Sequence, residues 1–136
     1  MSDARVHLSA PAKTMLYLRL WASLAVVWIT LRRMPLPEAV AYLGRVGEPR
    51  RRRLSPKRYG AIVGRALHVG RWRPRCLFSA LVLFRALRRQ GDDVQLVIGL
   101  PIEAVDHEAH AWVEIDGHDV GPPPGRGVHE PLARYP

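Results

Sequence analysis

The sequence predicts an α+β fold in which helices come first and a small antiparallel sheet follows. Three observations carry that prediction. Apolar residues recur with a period near four as far as Gln90 and with a period of two beyond Gly91. Asp116-Gly117, a strong hairpin dipeptide, separates two of the later runs. A chain of 136 residues at 48% apolar composition fills one core and is too short for two ordinary domains, so residues 1–136 read as a single domain.

Residues 1–11 show no periodicity and stop at Pro11, which marks a frayed tail. The first helix is expected over about Ala12–Arg33. It ends at Met34-Pro35-Leu36-Pro37, where Pro37 opens a second, short helix that Gly44 stops. Arg50–Arg53, Lys57 and Arg58, beside Pro49 and Pro56, form a basic run that reads as a solvated linker. Ser55-Pro56 then supplies a cap and a first-turn proline for a third helix, Pro56–Val69, with Ile62, Val63, Ala66 and Leu67 inward and Gly60 and Gly64 weakening it. Gly70 closes that helix and Arg71–Pro74 turns the chain. A strongly amphipathic fourth helix runs from Arg75 to Gln90, with Gly91 at its C-cap. Val94–Leu100 and Ala109–Ile115 read as strands, and His118–Gly121 returns antiparallel across the Asp116-Gly117 turn. Pro122-Pro123-Pro124 ends the pairing and leaves residues 122–136 as an irregular tail.

Lys and Arg outnumber Asp and Glu by 21 to 12, a net charge of +9, so the surface attracts anions without specifying which. A nucleic-acid domain would interleave aromatic residues with the basic ones or show a helix-turn-helix; neither pattern is present, and no nucleic-acid partner is expected. In Met15–Leu31, Arg19 leaves an uncharged run of only Leu20–Leu31, too short to span a bilayer. The Arg32-Arg33-Met34-Pro35 that follows is no signal-peptidase site. A buried helix is expected, and Trp21 and Trp28, seven residues apart on one face, leave open an apolar helix that docks on a membrane-bound partner.

Cys76 is the one cysteine, which excludes an intramolecular disulfide and suits a reducing, cytoplasmic setting. It falls in the first turn of the fourth helix, two residues after Pro74 and just after Arg73 and Arg75. Unpaired amides, the positive end of the helix dipole and adjacent cations all favour a thiolate there. A buried cysteine acting as a small hydrophobe is the plainer reading of position alone. His110 lies in the stretch Glu108–Glu114, on a strand that follows the thiol by thirty-four residues. Papain-like and transglutaminase-like enzymes set a helix-start Cys against a strand-borne His, which takes the thiol proton and later protonates the leaving amine.

No metal or other cofactor is expected. His107 and His110 are three apart, so on a strand they point to opposite faces, and the pair is one residue short of the zinc-binding helix motif. His68, His118 and His129 have no local partner that points to chemistry. Trp112 shares a face with His110 and either walls a site or packs the core. Trp72 either borders a substrate cleft or staples the helix entry.

Arg75-Cys76-Leu77, Ser79-Ala80-Leu81, Leu87–Gly91, Val97-Ile98-Gly99 and Ala109–Gly117 together resemble the lasso-peptide leader peptidases, small papain/transglutaminase-like cysteine peptidases. The likeness extends over about Met15 to Gly121. It implies a nucleophile-bearing helix packed on a small antiparallel sheet, with Cys76 as nucleophile, His110 as general base and the helix-start amide as oxyanion donor. It also implies removal of the leader from a ribosomally made precursor peptide, a separate leader-recognition protein as partner, and a lasso cyclase acting on the product. The family's orienting Asp lies shortly beyond the hairpin, where this sequence has Pro122. Asp119 is the nearest substitute, yet the hairpin pairs it near Glu114 or Ile115. Four residues of strand at about 3.3 Å each would put it roughly 13 Å from His110. Glu114 has the same difficulty on its own strand, and Glu130 could serve only if the tail folds back.

Overall fold

The computed structural model describes residues 10–45, 55–68, 76–101, 110–121 and 129–135. Four helices, α1 (Ala10–Arg33), α2 (Leu36–Leu43), α3 (Pro56–Ala66) and α4 (Cys76–Arg89), precede β1 (Gln95–Pro101), β2 (His110–Ile115), β3 (His118–Gly121) and β4 (His129–Tyr135). The order is the α+β order that the change of period predicts. The basic run Arg50–Arg53, the turn Arg71–Pro74, Trp72, His107, Ala109 and Pro122–Pro124 lie outside the described residues.

The start of α3 and the end of α4 fall where the punctuating residues put them, whereas α1 begins at Ala10, ahead of Pro11 and inside the expected frayed tail. Ser55 caps α3 by accepting the Arg58 backbone N–H, with Pro56 as the first helical residue. At the end of α4, Gly91 adopts φ 97°. Its N–H donates to the Arg88 carbonyl, and the Asp92 N–H donates to the Leu87 carbonyl. This is a Schellman closure, and it needs a residue tolerant of positive φ. α3 stops at Ala66, earlier than the expected Val69.

α4 is the centre of the molecule. Ala80, Leu81, Val82, Leu83, Phe84 and Leu87 are wholly buried, so the middle of the helix is covered nearly all round, with Arg89 left exposed at its end. α1, α2 and α3 pack on it, as do β1 and β2. α2 ends against it so closely that a Cβ on Gly44 would lie 2.9 Å from the Phe84 ring.

α1 departs from the buried helix that its composition predicts. Leu20, Val27 and Thr30 are buried, the Trp21 indole donates to the Ala66 carbonyl at 2.9 Å, and Arg85 of α4 donates to the Ser23 hydroxyl at 2.6 Å. On the other side Met15, Leu18, Trp28 and Ile29 are exposed. The helix runs through Arg19 without a break, and its length and composition alone would suffice to cross a bilayer.

The sheet order is β3-β2-β1-β4, antiparallel throughout. Asp116 at φ 51° and Gly117 at φ 78° make the two-residue turn between β2 and β3, the positive-φ pair that matches strand twist. β4 corrects the expectation of an irregular tail over 122–136: His129–Tyr135 pairs with β1. Pro131 argued against a strand, but it sits on an edge strand opposite Gly99, where the register shifts between Ile98 and Gly99. Edge strands and bulges are the places that accept a proline. Because strand side chains alternate, Leu96, Ile98, Ala111 and Val113 join the helical core, whereas His110, Trp112 and Glu114 share the opposite face.

Gly60 allows α3 to lie directly against β3. A Cβ there would sit 2.1 Å from the Val120 carbonyl oxygen, a backbone atom that cannot yield, whereas a Cβ on Gly64 meets nothing within 4 Å. Chemical denaturation should therefore separate the two glycines of one helix. Gly60→Ala is expected to cost about 1–3 kcal/mol, and Gly64→Ala to stabilise by about 0.4–1 kcal/mol. Equal effects at both positions would contradict this packing.

Candidate active site

Cys76 is the first residue of α4, so its position at a helix start is as the sequence predicts. The unpaired amides of that first turn and the helix dipole favour a negative group there. Its side chain lies outside the described residues. Further along the helix, Ser79 and Leu83 are buried. Leu83 reaches β3, where its Cδ2 would lie 3.7 Å from a Cβ on Gly121.

His110 opens β2, the strand against which α4 packs. It is half-buried, with its Nε2 buried. Its ring stacks on Trp112, centroids 6.2 Å apart and planes 24° from parallel. Trp112 is itself buried, and its indole N–H donates to Glu114 Oε2 at 3.2 Å. The same oxygen accepts from the Arg134 guanidinium at 2.9 Å. His110, Trp112 and Glu114 thus form a row along one face of β2. Arg134 closes the row from β4, where it stands beside Val97 of β1, and so ties strands two places apart in the sheet.

Residue reasoning missed Arg134 because it missed β4. The available signal was the alternation of Leu132 and Arg134 with Ala133 and Tyr135, which Pro131 masks at the strand's start. Glu114, set aside as too distant to orient His110 directly, is engaged with Trp112 and Arg134 instead.

Asp119 pairs with Glu114, as the hairpin register predicts, and therefore lies on the His110 face but well along the strand. Its Oδ1 accepts the Gly121 N–H at 2.8 Å. Burial raises its carboxyl above the ordinary carboxylate value by more than the Gly121 N–H lowers it. Glu114, directly opposite, raises it further, and His110 exerts the weakest pull, downward. His110 reaches Asp119 through charge, not as the close partner that an orienting third residue would be. Glu130 pairs with Leu100 on β4. Among the described residues no group of three His, Cys, Asp or Glu side chains is placed to hold a metal ion.

A family model described as the transglutaminase-like superfamily matches residues 19–132. The chain belongs to that superfamily. No curated protein and no solved structure matches it. The four helices and the small four-stranded sheet are therefore a transglutaminase-like α+β arrangement. The matched span takes in both Cys76 and His110. The transglutaminase-like superfamily includes cysteine peptidases.

The raised Asp119 carboxyl gives a pH dependence with a definite sign. A native state that binds the proton more tightly than the unfolded chain loses stability as pH rises, from the unfolded carboxylate value through the higher native one. Asp119→Asn keeps the acceptor for Gly121 and removes the charge facing Glu114. Thermal unfolding should show the variant gaining on the wild type at pH 7, with the gain vanishing below about pH 3. A variant less stable at pH 7 than at low pH, relative to wild type, would contradict the assignment.

Proposed function

We propose that this chain is a cysteine peptidase that removes the leader from a ribosomally synthesised lasso precursor peptide. The observation that carries the reading is Cys76 as the first residue of α4, followed by a histidine at the start of the strand on which that helix packs, inside a transglutaminase-like span. The likeness of Arg75-Cys76-Leu77 and Ala109–Gly117 to the leader peptidases narrows the substrate class.

In this reading the Cys76 sulfur attacks the carbonyl of the last leader residue while His110 takes the thiol proton. The tetrahedral oxyanion is held by amides of the α4 start. Collapse breaks the peptide bond, His110 gives its proton to the departing amine, and the core peptide leaves with a free amino terminus. Water, deprotonated by His110, then cleaves the thioester and restores the thiol. The buried Trp112 beside His110 walls this region, and Trp72, four residues before the nucleophile in sequence, is the other candidate substrate contact. As in the leader peptidases it resembles, a separate leader-recognition protein is the partner that grips the precursor, with the lasso cyclase next in sequence. The setting is cytoplasmic, where a single thiol stays reduced.

A second reading, an idle transglutaminase-like interaction protein, is favoured by specific features. Pro122 occupies the place of the family's orienting Asp, and Asp119 is engaged with Gly121. His110 also shares the sheet face of Trp112 and Glu114, not the face that packs on the helices.

Mass spectrometry of a precursor peptide incubated with the protein and its recognition partner decides between them. Wild type should release the leader at one bond, and Cys76→Ala and His110→Ala, both folded, should each lose at least about 10³-fold in kcat/KM. Asp119→Ala should have little effect. Product formation that survives Cys76→Ala would leave the idle scaffold as the account.

A further inference from the structure

The outer face of α1 is apolar and uncovered, and we propose that it seats the protein on an anionic membrane surface, with the helix lying flat. A helix apolar on all sides is ordinarily enclosed on all sides, yet only 22% of the most apolar stretch of α1 is buried. Opposite its core side, Met15, Leu18, Ala22, Ala25 and Ile29 follow one another at alternating steps of three and four, all exposed. That spacing draws one continuous stripe down the helix. Met15 is 52% exposed, Leu18 61% and Ile29 46%. The 24 residues make a rod of about 36 Å.

The charges select the occupant. α1 carries Lys13, Arg19, Arg32 and Arg33 and no acidic residue. At 100° per residue Arg19 flanks one side of the stripe and Arg32 the other, and Arg33 ends it. Two copies packed through this face would bring six cations to one seam, Arg19, Arg32 and Arg33 from each helix, with no carboxylate on either helix to offset them. A bilayer rich in anionic headgroups offsets them directly, and long arginine stems can lie along the apolar surface while their heads reach the phosphates. Trp28, at the shoulder of the stripe and 47% exposed, has the Arg32 guanidinium stacked 4.0 Å above its ring. An aromatic ring beside a cation suits the headgroup boundary. The stripe itself offers no hydrogen-bonding side chain of the kind that would single out a protein partner.

The helix lies on the membrane and does not cross it. Leu20, Val27 and Thr30, the Trp21 bond to Ala66 and the Arg85 bond to Ser23 fix its other side to the core along the middle of its length. Crossing would strip all of these away. The inference is independent of the chemistry at Cys76.

The test is flotation of the full chain with vesicles of phosphatidylcholine alone and with about 30 mol% phosphatidylglycerol. Binding should be at least about tenfold stronger to the anionic vesicles and should weaken at about 0.5 M salt. Leu18→Glu with Ile29→Glu should reduce it by about tenfold or more. Arg19→Gln with Arg32→Gln should reduce it by about fivefold per residue. Circular dichroism should show both double variants folded, since all four positions are exposed. Equal binding to neutral and anionic vesicles, or undiminished binding of the Leu18→Glu/Ile29→Glu variant, would overturn the proposal. So would a lipid-free dimer in sedimentation equilibrium that the same variant abolishes, since the face would then belong to self-association.

Discussion

Burial of α4 is the constraint on which the remaining structure depends. Six of its side chains, Ala80 through Phe84 and Leu87, are wholly withdrawn from water, and each large one is worth about 1.5–3 kcal/mol relative to exposure. A helix buried this deeply can be approached along its middle only by elements that are themselves apolar toward it. α1, α2 and α3 meet that need, as do the inward residues of β1 and β2. The buried shaft also decides where the start of α4 stands. Cys76 is its first residue, so the packing that stabilises the fold also holds the backbone of the proposed nucleophile against movement. Close contacts at Gly44 and Gly60 extend the same logic, because a side chain at either would push a neighbour off the core.

The outer face of the sheet obeys a different rule. It carries His110, Trp112, Glu114 and, across the hairpin, Asp119, two carboxylates directly opposite one another. Like charges in that position repel, and Arg134 supplies the cation that makes Glu114 tolerable in a buried setting. β4 therefore does more than extend the sheet. It brings the guanidinium across β1, which holds Glu114, which holds the Trp112 indole, on which His110 stacks. The imidazole is thus held by a ring and a chain of polar contacts, in a sequence that has Pro122 where the leader peptidases it resembles have an orienting carboxylate.

Much of this was legible before any coordinates. The switch of period at Gly91, Ser55-Pro56, and Asp116-Gly117 each name a local backbone state that few other residues would accept, and α3, α4 and the β2–β3 hairpin fall where these residues indicate. Cys76 at a helix start and the Glu114–Asp119 register follow from the same local rules. What could not be read was long-range. β4 was hidden because Pro131 is a poor strand residue unless the strand is an edge and the register slips beside it. Neither condition is visible without knowing that β1 is the partner. Arg134 went unnoticed for the same reason. For α1 the sequence leaves a buried helix and a docking helix both open, because composition reports that a helix is apolar, not how many of its faces the chain can cover.

The central claim is that Cys76 and His110 act on one proton, and the single cysteine allows it to be tested without a substrate. The rate of alkylation by iodoacetamide can be followed against pH for wild type and His110→Ala. The account predicts that the wild-type thiol stays reactive well below its ordinary pKa of about 8.5, and that His110→Ala moves its titration back toward that value in a folded protein. Identical titrations of the two proteins near about 8.5 would contradict it, and would mean that the helix start and the strand histidine share a fold but not a reaction.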